Sequence, residues 1–345
     1  MVLVLCGLLS LAGWARADAD WLYAVELPVN AQSDVERARA AGEGLLIVLS
    51  RLTGLSSVPR SAQITQALAR AGDYYNQFVF FTGANDDQDQ GYVRITFQAD
   101  AVQTLINSAG LPVWWAKRPR ILTWVVLDVG GEREILSSSS QHPMISALQS
   151  RARLRGLPMT LPLMDLHDQL QVTPADVWGK LGESLDASAE RYDAELVLIG
   201  RVARVQTTFM DSRAYRGDWE IWLNGEPLVE NFNAASAAEA ANIGVDLVAN
   251  RLAERFAVLP RQLRQQRLAI TGLNDPGSYA DFMHYLQGLE FVDHVDVTAI
   301  DAATLHISLA SRAQLEQLMM LLTVEGRLVE DKLHRGLDVQ LIWQG

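Results

Sequence analysis

The feature that most restricts the fold is a near-continuous apolar run in the middle of the chain, Ile121–Val129, which ends at a glycine pair. Such a run is typical of a strand that is buried on both faces, as in a parallel sheet. Two further strands, at 159–164 and 194–205, alternate with helical segments at 143–154 and 173–185. This alternating order predicts a parallel-sheet α/β domain with right-handed crossovers.

An antiparallel edge is expected to follow this parallel sheet. Trp219, Ile221 and Leu223 alternate with Glu220 and Trp222. Asn-Gly comes next, which is a strong signal for a hairpin turn. The sequence therefore predicts an edge hairpin, closed by a long helix over residues 234–258.

The regions on either side of the middle domain have different patterns. The first contains a strand at 22–29, helices, and a hairpin around 75–97, which indicates an N-terminal α+β domain. The last has the order βαββαβ, which suggests a C-terminal ferredoxin-like domain. We therefore expect an α/β and α+β multidomain protein. The predicted boundaries are a signal peptide at 1–17, an N-terminal domain at 18–112, a middle domain at 113–260 and a C-terminal domain at 261–345.

The N-terminal segment predicts the compartment. Val2–Ala15 is apolar and has the length of a signal h-region, and Ala15-Arg16-Ala17 fits a small-x-small cleavage site. We expect a periplasmic protein secreted through a cleavable signal; an uncleaved membrane anchor or a core helix is the alternative. No basic residue precedes the run, so a true start upstream of Met1 also fits. Cys6 is the single cysteine, and its removal with the signal excludes thiol catalysis and disulfides.

Composition and charge exclude several classes of protein. Hydrophobic residues make up 49% of the chain, which is too many for intrinsic disorder. The formal net charge of −12 disfavours a nonspecific nucleic-acid binder, since such binders need a basic surface. Arg151, Arg153 and Arg155 are interpreted as solvated charges or as charges that complement a helix dipole.

The sequence contains few groups that suggest catalysis. There is no G-x-S-x-G or H-E-x-x-H motif. The strongest cluster is Asp165, His167 and Asp168, in which carboxylates could orient an imidazole or bind a metal; the alternative is an ordinary polar loop. We expect no catalytic set, no cofactor and no metal.

Two other segments resemble ligand-binding motifs only weakly. Asp86, Asp87 and Asp89 lack the glycine and glutamate spacing of a calcium loop, so a solvated turn is expected. Gly130-Gly131 lacks the rest of a phosphate-binding motif and is expected to form a plain turn.

The best candidates for binding lie at the first domain boundary. They are two tryptophans and three nearby cations, Trp114, Trp115, Lys117, Arg118 and Arg120. Such a group could stack on a glycan, lie at an anionic membrane surface or anchor a partner protein, because Trp and Arg dominate interface hot spots. Alternatively, the tryptophans pack between domains and the cations pair with carboxylates of the chain itself.

Several segments together resemble an uncharacterised bacterial envelope family, domain of unknown function 2066. They are LYAVELPV (22–29), VERARAAGEGLLIVLSRLTG (35–54), VWWAKRPRILTWVVLDVGG (113–131), ADVWGKL (175–181), RYDAELVLIGRV (191–202) and WEIWLNG (219–225). The resemblance implies an envelope location and a domain plan, but no mechanism. The middle region also looks like small α/β domains of periplasmic translocation and outer-membrane assembly proteins, where the fold serves protein contacts.

These observations favour a non-catalytic periplasmic protein, an adaptor or assembly factor of the cell envelope with an envelope protein as partner. The alternatives are an envelope hydrolase that uses Asp165, His167 and Asp168, and a small-ligand, peptidoglycan or lipid-surface binder.

Overall fold

A computed structural model describes most of the chain. The described residues are 20–82, 90–114, 117–180, 182–205, 214–223, 226–259, 262–289, 291–301, 303–324, 326–331 and 339–345. They form a mixed α/β structure with three sheets and eleven α-helices. Among them, no helix is both long and apolar enough to cross a membrane.

The described residues divide into two compact units. Unit 1 takes its residues from Met1–Leu49, Pro59–Lys117 and Phe256–Gly345, and unit 2 from Ser50–Val58 and Arg118–Arg255. Two of the sheets belong to unit 1 and the third to unit 2. The predicted three-domain boundaries stay a prediction.

The first sheet of unit 1 is three-stranded and antiparallel, in the order β1-β3-β2. Its inner face is predictable from the alternation in β1, where Val25, Leu27 and Val29 are buried. The elements are α1 (Asp20–Tyr23), β1 (Ala24–Val29), α2 (Asp34–Thr53), α3 (Ala62–Ala69), a 3₁₀ turn (Ala71–Tyr74), β2 (Tyr75–Thr82), β3 (Gly91–Phe97) and α4 (Ala99–Ser108). The predicted hairpin is thus present as β2 and β3. The aspartates at 86, 87 and 89 lie outside the described residues.

Unit 2 contains one mixed sheet in the order β5-β4-β7-β8-β9, with the short strand β6 also paired to β4. Its elements are β4 (Ile121–Val129), β5 (Glu132–Leu136), α5 (Pro143–Arg155), β6 (Met159–Thr160), α6 (Leu166–Gln171), α7 (Pro174–Gly179), α8 (Gly182–Arg191), β7 (Leu196–Arg204), β8 (Tyr215–Leu223), β9 (Glu226–Ala234) and α9 (Ala237–Phe256). As predicted, β4 is buried along almost its whole length.

The sheet of unit 2 is less parallel than expected. Only β4–β7 and the two-residue β4–β6 pairing are parallel, and the other pairings are antiparallel. The glycine pair at 130–131 forms a hairpin turn, with φ of 67° and 96°, that leads into the unpredicted strand β5. Left-handed φ values favour glycine, which explains the glycine pair at this turn. β5 was not predicted because its sequence, EREIL, begins with three charged residues. The strand expected at 159–164 shrinks to Met159–Thr160.

One large side chain sets the spacing on the α9 side of this sheet. Trp219 of β8 is fully buried, and its indole Nε1 donates to the Ala240 carbonyl at 2.8 Å. A Cβ at Gly200 would lie 2.4 Å from Cζ3 of Trp219, and a Cβ at Gly244 would lie 2.4 Å from its Cδ2. Trp219 therefore fits only because β7 and α9 each present a glycine to it.

The second sheet of unit 1 has the order β11-β12-β10-β14-β13. Its elements are β10 (Arg264–Thr271), α10 (Pro276–Gln287), β11 (Val292–Asp301), β12 (Thr304–Ser311), α11 (Leu315–Thr323), β13 (Leu328–Glu330) and β14 (Val339–Trp343). Only β10 and β14 are parallel. Phe282, Leu286, Leu318 and Leu321 of the two helices join the core on this sheet. The predicted βαββαβ order is present, with β13 added.

Candidate functional site

The predicted catalytic cluster is organised around an arginine. Asp165 caps the N-terminus of α6, where its side chain accepts from the Asp168 amide at 3.1 Å. The guanidinium of Arg191, at the end of α8, donates to Asp165 Oδ2 at 2.5 Å and also to Asp168. The Tyr192 hydroxyl donates to Asp168 Oδ2 at 2.7 Å. Both carboxylates therefore have partners at the end of α8, where Arg191 is the last residue of the helix and Tyr192 follows it.

Electrostatics hold Asp165 in its ionised form. The hydrogen bond from Arg191 is the main reason why the pKa of Asp165 falls to about 2. The same hydrogen bond raises the pKa of Arg191, and burial raises the pKa of Tyr192. At neutral pH, Asp165 is thus a fixed anion rather than an acceptor of protons.

His167, the third residue of the predicted cluster, takes no part in these contacts between side chains. It lies exposed on α6, while Arg191 and Tyr192 occupy the two carboxylates. The geometry therefore serves to fasten α6 to α8 and does not orient the imidazole as a base. The hydrolase stays a prediction without support from this geometry.

The fastened helix presents leucines to solvent. Leu166 and Leu170 lie one turn apart on α6 and are 72% and 77% exposed. Leu163, in the loop before the helix, is 57% exposed, and its amide donates to the Tyr192 hydroxyl at 2.8 Å. We call Leu163, Leu166 and Leu170 the leucine surface. The ion pairs and hydrogen bonds of Asp165 and the buried Asp168 hold the helix that displays these leucines.

The predicted binding residues at 114–120 do not form one exposed group. Trp114 is 1% exposed, in a segment where Val113 pairs with Val258 through two backbone hydrogen bonds of 2.9 and 2.7 Å. The indole of Trp114 is therefore buried and cannot stack on a ligand. Trp115 lies outside the described residues.

The three cations of that group have different surroundings. Lys117 is exposed. Arg118 is buried and donates to the Arg51 carbonyl at 2.8 Å. Arg120 is exposed and pairs with Asp193 at 2.8 Å. Of the four candidates that the structure describes, Lys117 and Arg120 are exposed, and they belong to different units.

A second ionic cluster in unit 2 was missed at the sequence level. Lys180 follows α7 in the left-handed region, with φ of 56°, and its ammonium pairs with Asp218 at 2.9 Å and with Glu220. Arg201 pairs with Asp218 at 2.7 Å, directly across β7 and β8. Two cations thus balance two nearly buried carboxylates, which favours a structural role. The available signal was the alternation in β8, which places Asp218 and Glu220 on one face.

A third cluster corrects the interpretation of the arginines on α5. Arg155 is 2% exposed rather than solvated, and it pairs with Asp246 of α9 at 2.5 Å and with Asn250 at 2.8 Å. Arg151 joins the same carboxylate at 2.6 Å. Burial lowers the pKa of Arg155. These contacts join α5 to α9 and carry no sign of a ligand.

The described part of the chain offers little for a cofactor or a metal. Within it, no group of three His, Cys, Asp or Glu side chains is arranged for a metal ion. A depression of about 460 Å³ lies beside Asp73, Asp100 and Thr104 in unit 1. Another of about 300 Å³ lies beside Glu230, Asp246 and Glu254 in unit 2. Both are open surface depressions.

An exposed aromatic strand in unit 1 is the other unexpected surface. β2 is an edge strand that pairs with β3, and Phe78 and Val79 are 38% and 49% exposed. Phe78 and Phe80 contact each other edge-to-face, with ring centroids 5.8 Å apart. Arg37 lies over the Phe78 ring at 4.6 Å. The sequence predicted this strand, but its edge position follows from the strand order.

Comparison with solved structures does not identify the fold. Nine chains match; one of them, described as "Crystal structure of uncharacterized protein", has 12% sequence identity over 40% of this chain and 92% of its own length. Its TM-score of 0.18 is too low to support a common fold. No curated protein matches the chain.

One family model matches part of the chain. Residues 17–115 match a domain of unknown function, DUF8605. The expected membership in domain of unknown function 2066 was therefore wrong, because this region matches a different family. The matched segment is less than a third of the chain and carries no described activity; it includes β1, β2 and β3, and is similar to that domain of unknown function.

Proposed function

We propose that this protein is a non-catalytic adaptor or assembly factor of the bacterial cell envelope, secreted to the periplasm through a cleavable N-terminal signal. The observation that carries the proposal is the leucine surface of unit 2. Leu166 and Leu170 are each more than two thirds exposed, on a helix that two ion pairs join to α8. Exposed apolar side chains on a fixed support are typical of protein-binding surfaces.

The charges around the leucine surface favour a protein partner over a membrane. Helices that lie on membranes carry Lys or Arg on their polar face. α6 has the sequence LHDQLQ, without Lys or Arg, and Arg191 beside it is engaged by Asp165 and Asp168. An anionic lipid surface would find no free cation in α6 itself. A partner with an apolar groove or helix face fits better.

The proposal includes the division of the chain into three domains, at 18–112, 113–260 and 261–345, with a ferredoxin-like C-terminal domain. The strand order of the last region supports this fold. β12 lies between β10 and β11 and is antiparallel to both, so β10, α10 and β11 form a split βαβ unit. The parallel pairing of β14 with β10 departs from the all-antiparallel sheet of the ferredoxin-like fold.

Capture of the partner tests the proposed function. The full chain is cross-linked in cells, its dominant partner is identified, and the binding of the two purified proteins is then measured. The double variant Leu166→Gln, Leu170→Gln is expected to weaken binding at least tenfold, because each buried leucine contributes about 1.5–3 kcal/mol. Its fold should persist, since both side chains are exposed.

Two control variants make the result specific. Ile300→Gln removes an apolar side chain of the same 72% exposure from unit 1, and it should leave binding unchanged. His167→Ala should also have no effect on the phenotype. Loss of function with His167→Ala in a folded protein, or equal binding by the double leucine variant, would overturn the proposal and return attention to a hydrolase.

A further inference from the structure

A second surface of the molecule is a β-sheet edge that, from Gln77 onward, lacks the protection that edges normally carry. Exposed strand edges pair with other strands, and proteins block them with charges, prolines, bulges or short strands. β2 has the sequence YNQFVFFT, which contains no charge, no proline and no glycine. A register shift between Tyr75 and Gln77 lies at its start, and from Gln77 to Thr82 it pairs with β3 in a regular register. No strand pairs with its other edge among the described residues.

The other sheet edges in the described structure are blocked. β1 contains Pro28 and Glu26, and β9 contains Pro227 and Glu230. β5 begins with Glu-Arg-Glu, and β13 has only three residues. Because β2 lacks the features that block these other edges, it can accept a further strand.

The clearest contrast is with β11, the edge of the other sheet in unit 1. β11 is interrupted by register shifts at Val292/His294 and Val297/Ala299, and it carries Asp293 and Asp296. Bulges and acidic residues both oppose strand addition. β11 thus exposes valine and isoleucine at an edge that disfavours strand addition. β2 exposes phenylalanine and valine beside an edge that does not.

We propose that β2 pairs antiparallel with β2 of a second copy of this chain, which joins two three-stranded sheets into one of six strands. A two-fold axis at Val79 places Phe78 opposite Phe80 of the partner subunit, and Gln77 opposite its Phe81. The facing aromatic pairs have the register that cross-strand aromatic contacts require. Each pair occurs twice because the interface is isologous.

Charge favours a second copy over a charged peptide. The chain has a formal net charge of −12, but β2 itself is uncharged, so identical strands meet no like charge at the contact. The nearby cations are already neutralised, since Arg37 pairs with Asp34 at 2.9 Å and Arg94 pairs with Glu26 at 2.5 Å. The edge therefore selects an uncharged apolar strand, which is what β2 is.

The other edge of the same sheet explains why pairing would stop at two copies. Addition of β2 to β1 would produce an open chain of molecules. Pro28 lacks an amide hydrogen and Glu26 is exposed on β1, so that edge disfavours a further strand. Of the two pairings considered for this sheet, the symmetric β2–β2 contact is therefore favoured. It covers the β2 edge of both copies, so no further copy can add there.

The oligomeric state of the purified full chain tests this inference. Sedimentation velocity at micromolar concentration should show a dimer for the natural sequence and a monomer for Val79→Lys, in which two ammonium groups meet at the axis. A 1:1 mixture of Val79→Lys and Val79→Glu should restore a dimer. Val297→Lys, which changes a valine of 40% exposure on β11, should remain dimeric.

The outcomes separate this inference from the proposed function. A monomeric natural chain, a dimer that persists in Val79→Lys, or a failure of the opposite charges to restore pairing would overturn it. Capture of a different protein through β2 would overturn it as well. The leucine variants at 166 and 170 should remain dimeric, so loss of partner binding and loss of dimerisation are measured independently.

Discussion

The leucine surface of unit 2 and the β2 edge of unit 1 both expose apolar side chains, but they can recognise partners in different ways. α6 has no open row of backbone groups along its side as an edge strand has, so Leu166 and Leu170 offer only shape and apolar area. β2 also offers unpaired backbone groups along one side. The first surface accepts any complementary apolar shape, whereas the second requires an extended strand. The difference shows that exposure alone does not define a binding surface; the state of the backbone decides what can bind.

The two surfaces also differ in what holds them. α6 depends on the ionic network of Asp165, Asp168 and Arg191, whereas β2 depends on the strand register with β3 and on aromatic contacts. Electrostatic changes should therefore affect the leucine surface and spare the edge.

The largest expected effect comes from removal of the arginine that fastens α6. Arg191→Ala leaves Asp168, which is 1% exposed, without its cation, which should destabilise the contact between α6 and α8 more than the loss of a pair that is exposed on both sides. Hydrogen exchange should show loss of protection in α6 and α8, while dimerisation through β2 is retained.

The matched control is Arg94→Ala in unit 1, which removes an exposed pair and should cost less than about 1 kcal/mol. Equal protection of α6 in the natural chain and in Arg191→Ala would show that the ionic network does not support the leucine surface.

A smaller effect is expected at the edge strand. Phe80→Leu removes both symmetric contacts with Phe78 of the partner subunit, which should weaken the dimer about tenfold at roughly 0.5–1 kcal/mol for each contact. Sedimentation equilibrium measures the change, and hydrogen exchange in α6 should be unaltered. A dimer of unchanged affinity would mean that the aromatic rings do not face each other across the axis.

The smallest effect is a response to acid that only one surface should show. Because the pKa of Asp165 is about 2 in the folded chain against an ordinary 3.8, its stabilising contribution is complete above about pH 4 and is lost as the pH falls toward 2. α6 should loosen in that range, whereas β2 contains no carboxylate or imidazole to protonate.

Limited digestion with pepsin between pH 4 and pH 2 can detect this loosening as faster cleavage near Leu166 and Leu170. Asp165→Asn serves as the comparison at each pH, since it lacks the carboxyl that titrates. If both proteins are cleaved with the same dependence on pH, the response does not come from Asp165.

Much of the secondary structure was predictable because it follows from local periodicity. The buried strand β4, the aromatic strand β2 and the βαββαβ order of the last region were all expected. β5 was missed because three charged residues obscure its pattern. The predicted parallel sheet was only partly correct, since periodicity identifies a buried strand but does not give the direction of its neighbours.

The properties of the sites were less predictable, because they depend on contacts between distant residues. In the sequence, Asp165 and Asp168 resembled catalytic groups; in the structure, both pair with Arg191 of α8. In the sequence, Arg155 resembled a surface charge; in the structure, it is buried and pairs with Asp246 of α9. Trp114 resembled an exposed anchor, but in the fold it is 1% exposed. Likewise, the aromatic residues of β2 were visible in the sequence, but their position at an edge was not.

The tryptophan between two glycines has a consequence for how unit 2 can change over evolution. Residues 200, 219 and 244 share one fixed volume, so a methyl group added at either glycine requires a smaller side chain at 219. The three positions should therefore vary together among relatives of this unit. Related sequences should then keep glycine at 200 and 244 wherever tryptophan stands at 219. Such covariation would show that the spacing between the sheet and α9 is shared by these relatives.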